Sequence, residues 1–265
     1  MTIPAGVAGQ PIAHSLSPLI HTAWIAAAGL DADYRAFGPE DAAGFAALVA
    51  GGRAGGLRGL NVTAPFKEQA LALADEASAT AVTCGSANLL LFGDGRVRAD
   101  STDGAGLMAA LSEQAPQLKL RGQSVVVLGA GGAARAAVAA LTAAGADVGV
   151  LNRTRARAEA LAANLGARVI DAAALDEAAL VVNALSVPPD IDVSRLRDDV
   201  VLMDMTYRPL LTPFLTRGRS RGLATVDGLA MLIGQARPSF SALFGQEPPD
   251  IDVRSRALAA LGETS

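Results

Sequence analysis

The chain has 265 residues, of which 51% are hydrophobic and 18% charged, so it is long and apolar enough for two folded domains and too apolar to be disordered. A net charge of −4 and the absence of a basic run argue against nucleic-acid binding. Apolar runs stop well short of the roughly 20 residues of a membrane span, so no membrane partner is expected. The lone Cys84 and two separated histidines leave no disulfide and no metal site, and with no visible signal peptide we expect a cytoplasmic protein.

The first hundred residues alternate between strand and helix patterns. Ser17-Pro18 is a strong helix start, with Ser17 as N-cap and Pro18 at the first helical position. The run from Gly51 to Gly56 indicates a flexible connection, and a hairpin is expected around Gly93-Asp94. The predicted elements are strands over 5–8, 34–37, 57–63, 87–92 and 95–99, and helices over 17–28, 40–49, 67–73 and from about Leu107.

Four polar residues in this half are candidates for a site. Ser15 and Ser17 could hold a carboxylate beside a helix N-terminus, or could simply be caps. Lys67 lies in the first turn of a helix, where the helix dipole disfavours a cation, although surface lysines are common. Asp103 could serve as a helix cap and nothing more. The residues alone leave both interpretations open for each position.

The stretch from Ser124 to Arg135 predicts a nucleotide-binding turn. Val125 to Leu128 is a continuous apolar run, typical of a strand buried on both faces. Gly129, Gly131 and Ala134 then give a G-x-G-x-x-A pattern before an alanine-rich helix and a second strand over 148–151. Glycines allow the tight turn and a close approach to a pyrophosphate at the helix N-terminus. A glycine turn that serves only as a tight connection is the alternative.

Further apolar runs over 167–170, 179–184, 200–205 and 223–226 make six strand-like segments with helices over 155–164 and 212–219 between some of them. We therefore predict an α/β fold with a doubly wound, Rossmann-type parallel sheet. A helix over 228–240 and a final one over 253–261 complete the chain.

The residues after the second strand of this sheet predict the cofactor. In NAD-binding folds an acid near this point accepts the ribose 2′-hydroxyl, but here the sequence is Asn152-Arg-Thr-Arg-Ala-Arg157. Guanidinium groups bind a 2′-phosphate bidentately, so NADP is favoured over NAD. A basic helix start that faces water is the alternative, and Arg155 is the arginine that best suits it.

Four motifs in order resemble the shikimate dehydrogenase family over nearly the whole chain. They are Gln10-Pro-Ile-Ala-His-Ser-Leu-Ser-Pro18, Asn61-Val-Thr-Ala-Pro-Phe-Lys67, Ser101-Thr-Asp-Gly-Ala-Gly106 and Asp227-Gly-Leu-Ala-Met-Leu-Ile-Gly-Gln-Ala236. The resemblance implies NADP-dependent, reversible reduction of 3-dehydroshikimate to shikimate in aromatic amino-acid biosynthesis. It also implies a discontinuous α/β substrate domain, 1–103 plus 237–265, and an NADP-binding domain, 104–236, in a monomer or homodimer.

The resemblance assigns site residues as well. Lys67 is the implied proton donor and acceptor, and Asp103 the residue that holds it. The implied substrate contacts are Ser15, Ser17, Thr63, Lys67, Asn88, Asp103, Tyr207 and Gln235. The implied cofactor contacts are Gly129, Ala130, Gly131, Gly132, Ala133, Asn152, Arg153, Thr154, Arg157, Met205, Gly228 and Met231. No metal is implied.

The chain departs from the family pattern at four positions without losing a proposed proton-transfer or substrate-binding side chain. Ser101 stands in place of Asn, Leu89 and Leu185 in place of Thr, and Phe244 near the place of a frequent Trp. A quinate/shikimate dehydrogenase with relaxed cofactor use shares these motifs. A non-catalytic NADP-binding regulator on the same scaffold would be expected to lack Lys67 or Asp103.

Overall fold

A computed structural model describes residues 2–263, which divide into two compact units. The first unit combines the residues up to Thr102 with those from Gln235 onward, and the second is Asp103–Gly234. The chain therefore leaves the first unit and returns to it. The sequence predicted the two domain boundaries after residues 103 and 236, and the structure has them after residues 102 and 234. Within residues 2–263 no helix is long and apolar enough to cross a membrane.

The first unit is built on one mixed six-stranded sheet. Its strands are β1 (Ile3–Ala8), β2 (Ala32–Phe37), β3 (Gly59–Val62), β4 (Glu76–Ala77), β5 (Leu89–Gly93) and β6 (Arg96–Asp100). Its helices before residue 103 are α1 (Ser17–Ala27), α2 (Ala42–Gly51), α3 (Lys67–Ala72) and α4 (Ala79–Cys84). The strand order is β2-β1-β3-β5-β6-β4, with β1 parallel to β2 and β3, and β5 antiparallel to β3 and β6.

The second unit contains α5 (Asp103–Gln114), α6 (Gly132–Ala143), α7 (Arg155–Leu165) and α8 (Pro213–Ser220) around a second sheet. The strands are β7 (Ser124–Leu128), β8 (Asp147–Leu151), β9 (Arg168–Val169), β10 (Leu180–Asn183), β11 (Val201–Asp204) and β12 (Ala224–Val226). All pairs are parallel, in the order β12-β11-β10-β7-β8-β9. This order confirms the predicted doubly wound sheet.

The core of the second sheet follows the apolar pattern of its strands. Val125 to Leu128 are all at most 2% exposed, which is the burial expected of a central strand covered on both faces. The helix α9 (Gly228–Phe244) runs from the second unit into the first, and α10 (Val253–Leu261) ends the described chain.

Three local predictions were wrong. The N-cap position of α1 is occupied by Leu16, while Ser17 is the first helical residue and its N–H donates to Ser15 Oγ at 3.3 Å. The predicted connection does lie between α2 and β3, where Gly52–Gly56 form a tight turn in which Gly55 has φ +95° and Gly52 lies against the ring of Phe92.

The second difference is the start of α5, which begins at Asp103 and not near Leu107. Two glycines in its first turn would weaken an isolated helix. Gly104, however, lies so close to α6 that an added Cβ would be 3.0 Å from the Cβ of Ala140. Close helix packing therefore overrides the local propensity. The third difference is the hairpin turn, which lies at Asp94-Gly95, one residue later than predicted, and both residues have positive φ angles.

Candidate functional site

In the first unit, the loops after two neighbouring strands share one sheet edge. β1 and β3 are parallel partners, so the segments that follow Ala8 and Val62 begin side by side. The Thr63 N–H donates to the Ala8 carbonyl at 2.9 Å, and the Gln10 N–H donates to the Ala64 carbonyl at 3.0 Å. These bonds place the segment that contains Ser15 and Ser17 next to the one that contains Thr63 and Lys67.

Ser15 and Ser17 are oriented by the entry into α1. Ser15 is half-buried, and its hydroxyl accepts the Ser17 N–H, whereas Ser17 itself is 6% exposed. Pro18 has no N–H to donate, which suits the first turn of a helix. The two hydroxyls thus lie beside a helix N-terminus, where the helix dipole favours an anion such as a carboxylate.

Lys67 is the first residue of α3 and is half-buried. Its carbonyl accepts the Ala87 N–H at 2.9 Å, which ties the start of α3 to the residue before Asn88. The Asn88 carbonyl in turn accepts the Val62 N–H at 2.8 Å. The backbone therefore brings Lys67 and Asn88 to the same edge of the sheet as Thr63.

The carboxamide of Asn88 is buried and bonded on both sides. Its Oδ1 accepts the Thr102 N–H at 2.7 Å, and its Nδ2 donates to Thr102 Oγ1 at 2.9 Å and to Gln235 Oε1 at 3.2 Å. Thr102 follows β6, and Gln235 lies on α9. Side chains from two distant parts of the sequence, Asn88 and Gln235, are thereby in direct contact.

The sequence alone did not single out the polar side chains behind this pair. Tyr34 Oη donates to Asn61 Oδ1 at 2.8 Å, and Asn61 Nδ2 donates to Ser239 Oγ at 2.9 Å. Ser239 Oγ lies 3.2 Å from Thr102 Oγ1. Asn61 and Thr102 belong to quoted motifs, whereas the only signal for Ser239 is its position one helical turn beyond Gln235.

An aromatic cluster lies against the start of this chain of hydrogen bonds. His21 stacks on Tyr34 with ring centroids 4.1 Å apart and is fully buried, with neither ring nitrogen hydrogen-bonded. Burial lowers the pKa of His21 from 6.5 to about 3, because a buried imidazolium loses its hydration. Burial likewise raises the pKa of Tyr34. His21 is therefore a neutral part of the scaffold.

The two remaining substrate candidates belong to the second unit. Asp103 directly follows Thr102, begins α5 and is 6% exposed. Tyr207 is half-buried in the segment after β11. That segment is held by Asp204, whose Oδ1 accepts the Thr206 N–H at 3.0 Å and whose Oδ2 accepts from Asn183 Nδ2 at 3.1 Å.

The glycine turn of the second unit leaves open space at an uncapped helix N-terminus. Gly129 has φ +117°, and a Cβ there would lie 3.2 Å from Leu185 Cδ2, so any residue other than glycine would be strained at this position. A Cβ at Gly131 would meet nothing within 4 Å, which leaves open space above the turn. Gly131 is also the N-cap of α6, and no side chain caps that helix end. The first residues of the helix, Gly132 and Ala133, complete a fit to an anionic group.

The segment after β8 presents three exposed guanidinium groups, two of which form no ion pair with a described residue. Arg155 is bonded to Glu159 and Asp171, whereas Arg153 and Arg157 are exposed and form no ion pair with any described residue. Asn152 Nδ2 donates to the Thr154 carbonyl at 2.9 Å, which bends the chain into α7. The donor set fits a 2′-phosphate.

The start of α9 is packed against the segment after β11. A Cβ at Gly228 would lie 2.7 Å from the Met205 carbonyl oxygen, so the close approach requires glycine. Met231, one turn later, is 7% exposed, and Met205 is half-buried. The three cofactor candidates Met205, Gly228 and Met231 therefore lie near one another, at the carboxyl ends of β11 and β12.

Comparison with known proteins relates both units to the same family of enzymes. Residues 7–90 match the family described as shikimate dehydrogenase substrate binding domain, and residues 110–187 match shikimate / quinate 5-dehydrogenase. The shikimate dehydrogenase (NADP(+)) of Caulobacter vibrioides is 53% identical over 276 residues, covering 98% of this chain and 96% of that protein.

Two solved structures are also similar. Shikimate 5-dehydrogenase from Thermus thermophilus, in complex with NADP(H) and shikimate, is 35% identical with a TM-score of 0.91, covering 98% of this chain and 100% of that one. Quinate dehydrogenase from Corynebacterium glutamicum, in complex with NAD, is 31% identical with a TM-score of 0.87, covering 97% and 99%. With its motifs, its fold and these relatives in agreement, this chain belongs to the shikimate dehydrogenase family.

Proposed function

We infer that the protein is an NADP-dependent shikimate dehydrogenase, which interconverts shikimate and 3-dehydroshikimate in aromatic amino-acid biosynthesis. The observation that carries this inference is the convergence of candidate substrate groups on one edge of the first sheet. Four segments that are distant in sequence meet there, and they carry hydroxyl, amide and ammonium groups that can bind a carboxylate or hydroxyl oxygen. These residues are Ser15, Ser17, Thr63, Lys67, Asn88 and Gln235.

We propose that Lys67 moves the proton of the reaction. During oxidation its amine accepts the proton of the substrate hydroxyl, and during reduction its ammonium returns it. Asp103 holds the ammonium and hydrogen-bonds a second substrate hydroxyl. Ser15 and Ser17 bind the substrate carboxylate. The further substrate contacts are Thr63, Asn88, Tyr207 and Gln235.

NADP, when bound, supplies the hydride acceptor for the oxidation of the secondary alcohol. Gly129 to Ala133 receive the pyrophosphate on backbone N–H groups. Asn152, Arg153, Thr154 and Arg157 bind the adenosine end, and the two arginines pair with its 2′-phosphate. Met205, Gly228 and Met231 line the nicotinamide end. The open space above Gly131 and the exposed Arg153 and Arg157 support this assignment.

We further propose which parts of the chain bind the substrate and which bind NADP. Residues 1–103 with 237–265 bind the substrate and residues 104–236 bind NADP, limits that lie within two residues of the compact units. The enzyme acts in the cytoplasm as a monomer or homodimer. Size-exclusion chromatography with light scattering measures the oligomeric state directly.

One assay tests the function and its alternatives together. Purified protein is given shikimate or quinate with either NADP or NAD, and reduced cofactor is followed by absorbance. The proposal expects the highest kcat/KM with shikimate and NADP. Comparable rates with quinate or NAD would favour the quinate/shikimate dehydrogenase, and NADP binding with no turnover of either substrate would favour a regulator.

A further inference from the structure

Six polar side chains behind the substrate edge form one continuous buried chain of hydrogen bonds in the first unit. It runs from Tyr34 through Asn61 to Ser239, and from there through Thr102 to Asn88 and Gln235. Every side chain in it belongs to a residue at most 9% exposed, and Ser239 is completely inaccessible. Only Asn88 and Gln235 are candidate substrate contacts.

Two backbone groups fix how the carboxamides in this chain point. The Asn88 carbonyl can only accept, so the Asn61 atom that faces it at 3.3 Å must be the Nδ2 donor. The Thr102 N–H can only donate, so the Asn88 atom that faces it at 2.7 Å must be Oδ1. The orientation of both amides follows from these two contacts without further assumption.

The orientation of Gln235 follows from that of Asn88. Because Asn88 Nδ2 is a donor, the Gln235 atom 3.2 Å from it must be the acceptor Oε1, and Gln235 Nε2 lies on the other side of its amide. Gln235 can thus present only N–H donors in the direction away from Asn88. A group bound there must offer an oxygen acceptor.

Ser239 is the junction on which this arrangement depends. Its hydroxyl accepts from Asn61 Nδ2, donates toward the Gln235 carbonyl at 3.1 Å and meets Thr102 Oγ1 at 3.2 Å. The Thr102 hydroxyl also lies 3.3 Å from Asn88 Oδ1 and 3.4 Å from Gln235 Oε1. Without Ser239, the Thr102 hydroxyl would donate to Asn88 Oδ1 or Gln235 Oε1 instead. It would then compete with the hydrogen bonds that hold these two amides in place.

We propose that Ser239 is a positioning residue for substrate binding, which acts through Thr102 and Asn88 to hold the Gln235 carboxamide with its N–H donors directed away from Asn88. This role rests on the proposed shikimate dehydrogenase activity. It concerns the binding of shikimate and not of NADP, because all six hydrogen-bonded side chains belong to the first unit.

The test compares Ser239→Ala with Ser241→Ala. Ser241 is the control, because its hydroxyl also donates to the carbonyl four residues earlier on the same helix, that of Arg237, at 3.1 Å. Ser241 does not belong to the series of six hydrogen-bonded side chains. Steady-state kinetics and thermal unfolding are measured for both variants. Ser239→Ala should raise the KM for shikimate roughly fivefold to tenfold, as for the loss of a buried neutral hydrogen bond, with the KM for NADP and kcat changed less than about twofold. Ser241→Ala should leave all three constants unchanged.

A double variant separates positioning from simple loss of structure. In a Gln235→Ala background, Ser239→Ala should raise the KM for shikimate less than about twofold, since the group it orients is gone. If Ser239→Ala does not fold, Ser239→Cys replaces it, because sulfur is close in size and a weak hydrogen-bond partner, and the same change in KM is expected.

Two results would overturn the proposal. An unchanged KM for shikimate in Ser239→Ala, whatever its melting temperature, would show that Ser239 does not position a substrate-binding group. An equal rise in KM with and without Gln235 would mean that Ser239 does not act through that residue. Failure of the proposed function is distinct, since the unaltered protein would then not oxidise shikimate at all.

Discussion

Lys67 lies at a position where the dipole of its own helix disfavours a positive charge. It is the first residue of α3, where the dipole repels a cation, and it is half-buried on the edge that gathers the candidate substrate groups. A general acid–base residue contributes about 10²- to 10⁴-fold to rate. We predict that Lys67→Met lowers kcat by that range, while the KM for shikimate changes less because Ser15, Ser17 and Asn88 remain.

Steady-state kinetics in both directions measures this effect. The matched control is Lys119→Met, since Lys119 is the second lysine of the chain and is exposed. An unchanged kcat with a large rise in KM would assign Lys67 to binding.

Arg153 and Arg155 make a second pair of matched residues. Arg155 is engaged by Glu159 and Asp171, whereas Arg153 forms no ion pair with any described residue. We predict that Arg153→Ala weakens NADP binding by roughly 1.5–3 kcal/mol, the range for a lost hydrogen bond to a charged group, and changes NAD binding little.

Titration of each variant with NADP and with NAD, followed by protein fluorescence, gives the four dissociation constants. Arg155→Ala should leave the ratio of NADP to NAD affinity unchanged. If the unaltered protein has equal kcat/KM for the two cofactors, the 2′-phosphate assignment is wrong and the quinate alternative gains support.

Among the secondary-structure elements, α8 is tied to the carboxyl end of β11 by one threonine. Thr212 Oγ1 accepts the Leu215 N–H at 3.3 Å as helix cap and donates to Asp204 Oδ2 at 2.8 Å. Asp204 is 1% exposed, and its carboxyl group accepts from the neutral donors of Asn183, Thr206 and Thr212. The threonine therefore stabilises both the helix start and a buried carboxyl group.

We predict that Thr212→Val lowers the free energy of unfolding by about 1–3 kcal/mol, from a lost cap and an under-satisfied carboxyl group. Chemical denaturation measures it. Thr216→Val, an exposed position one turn later on α8, should cost less than about 0.5 kcal/mol. Equal losses for the two variants would contradict the role given to Thr212.

For the whole molecule, His21 links stability to pH. Its pKa is about 3 in the folded protein and 6.5 when unperturbed, so between these values the unfolded chain binds a proton that the folded chain does not. Stability therefore falls as the pH falls from about 6.5 towards 3, by up to about 1.4 kcal/mol per pH unit from this group. Tyr34, which stacks on it, stays neutral throughout this range.

We predict that His21→Phe, which keeps an aromatic ring against Tyr34, flattens the dependence of unfolding free energy on pH between about 6 and about 4. Denaturation curves at several pH values measure the slope. His14→Gln is the control, because His14 is exposed and its replacement should leave the slope unchanged. An unaltered slope in His21→Phe would show that other groups cause the acid sensitivity.

Most elements could be predicted because their signals are local. The continuous apolar runs of β7, β10 and β11 and the glycine turn after Leu128 are readable in single stretches of sequence, and strands that alternate with helices favour a doubly wound parallel sheet. The short β4 and α4 carry too few residues for a periodic pattern. The start of α5 was misplaced because the packing of Gly104 on Ala140 is not visible in local propensity.

By itself the sequence determined the class of fold, the family and the residue types available for substrate and cofactor, because these depend on apolar periodicity and on motifs of adjacent residues. Only the tertiary structure decided how those residues are oriented. Tyr34 and Ser239 are far apart in the sequence, yet they bond to the same Asn61, and Asn88 meets Gln235 across 147 positions. Hydrogen bonds between side chains require atoms within about 3 Å, and for residues so distant along the chain only the folded backbone can supply that proximity.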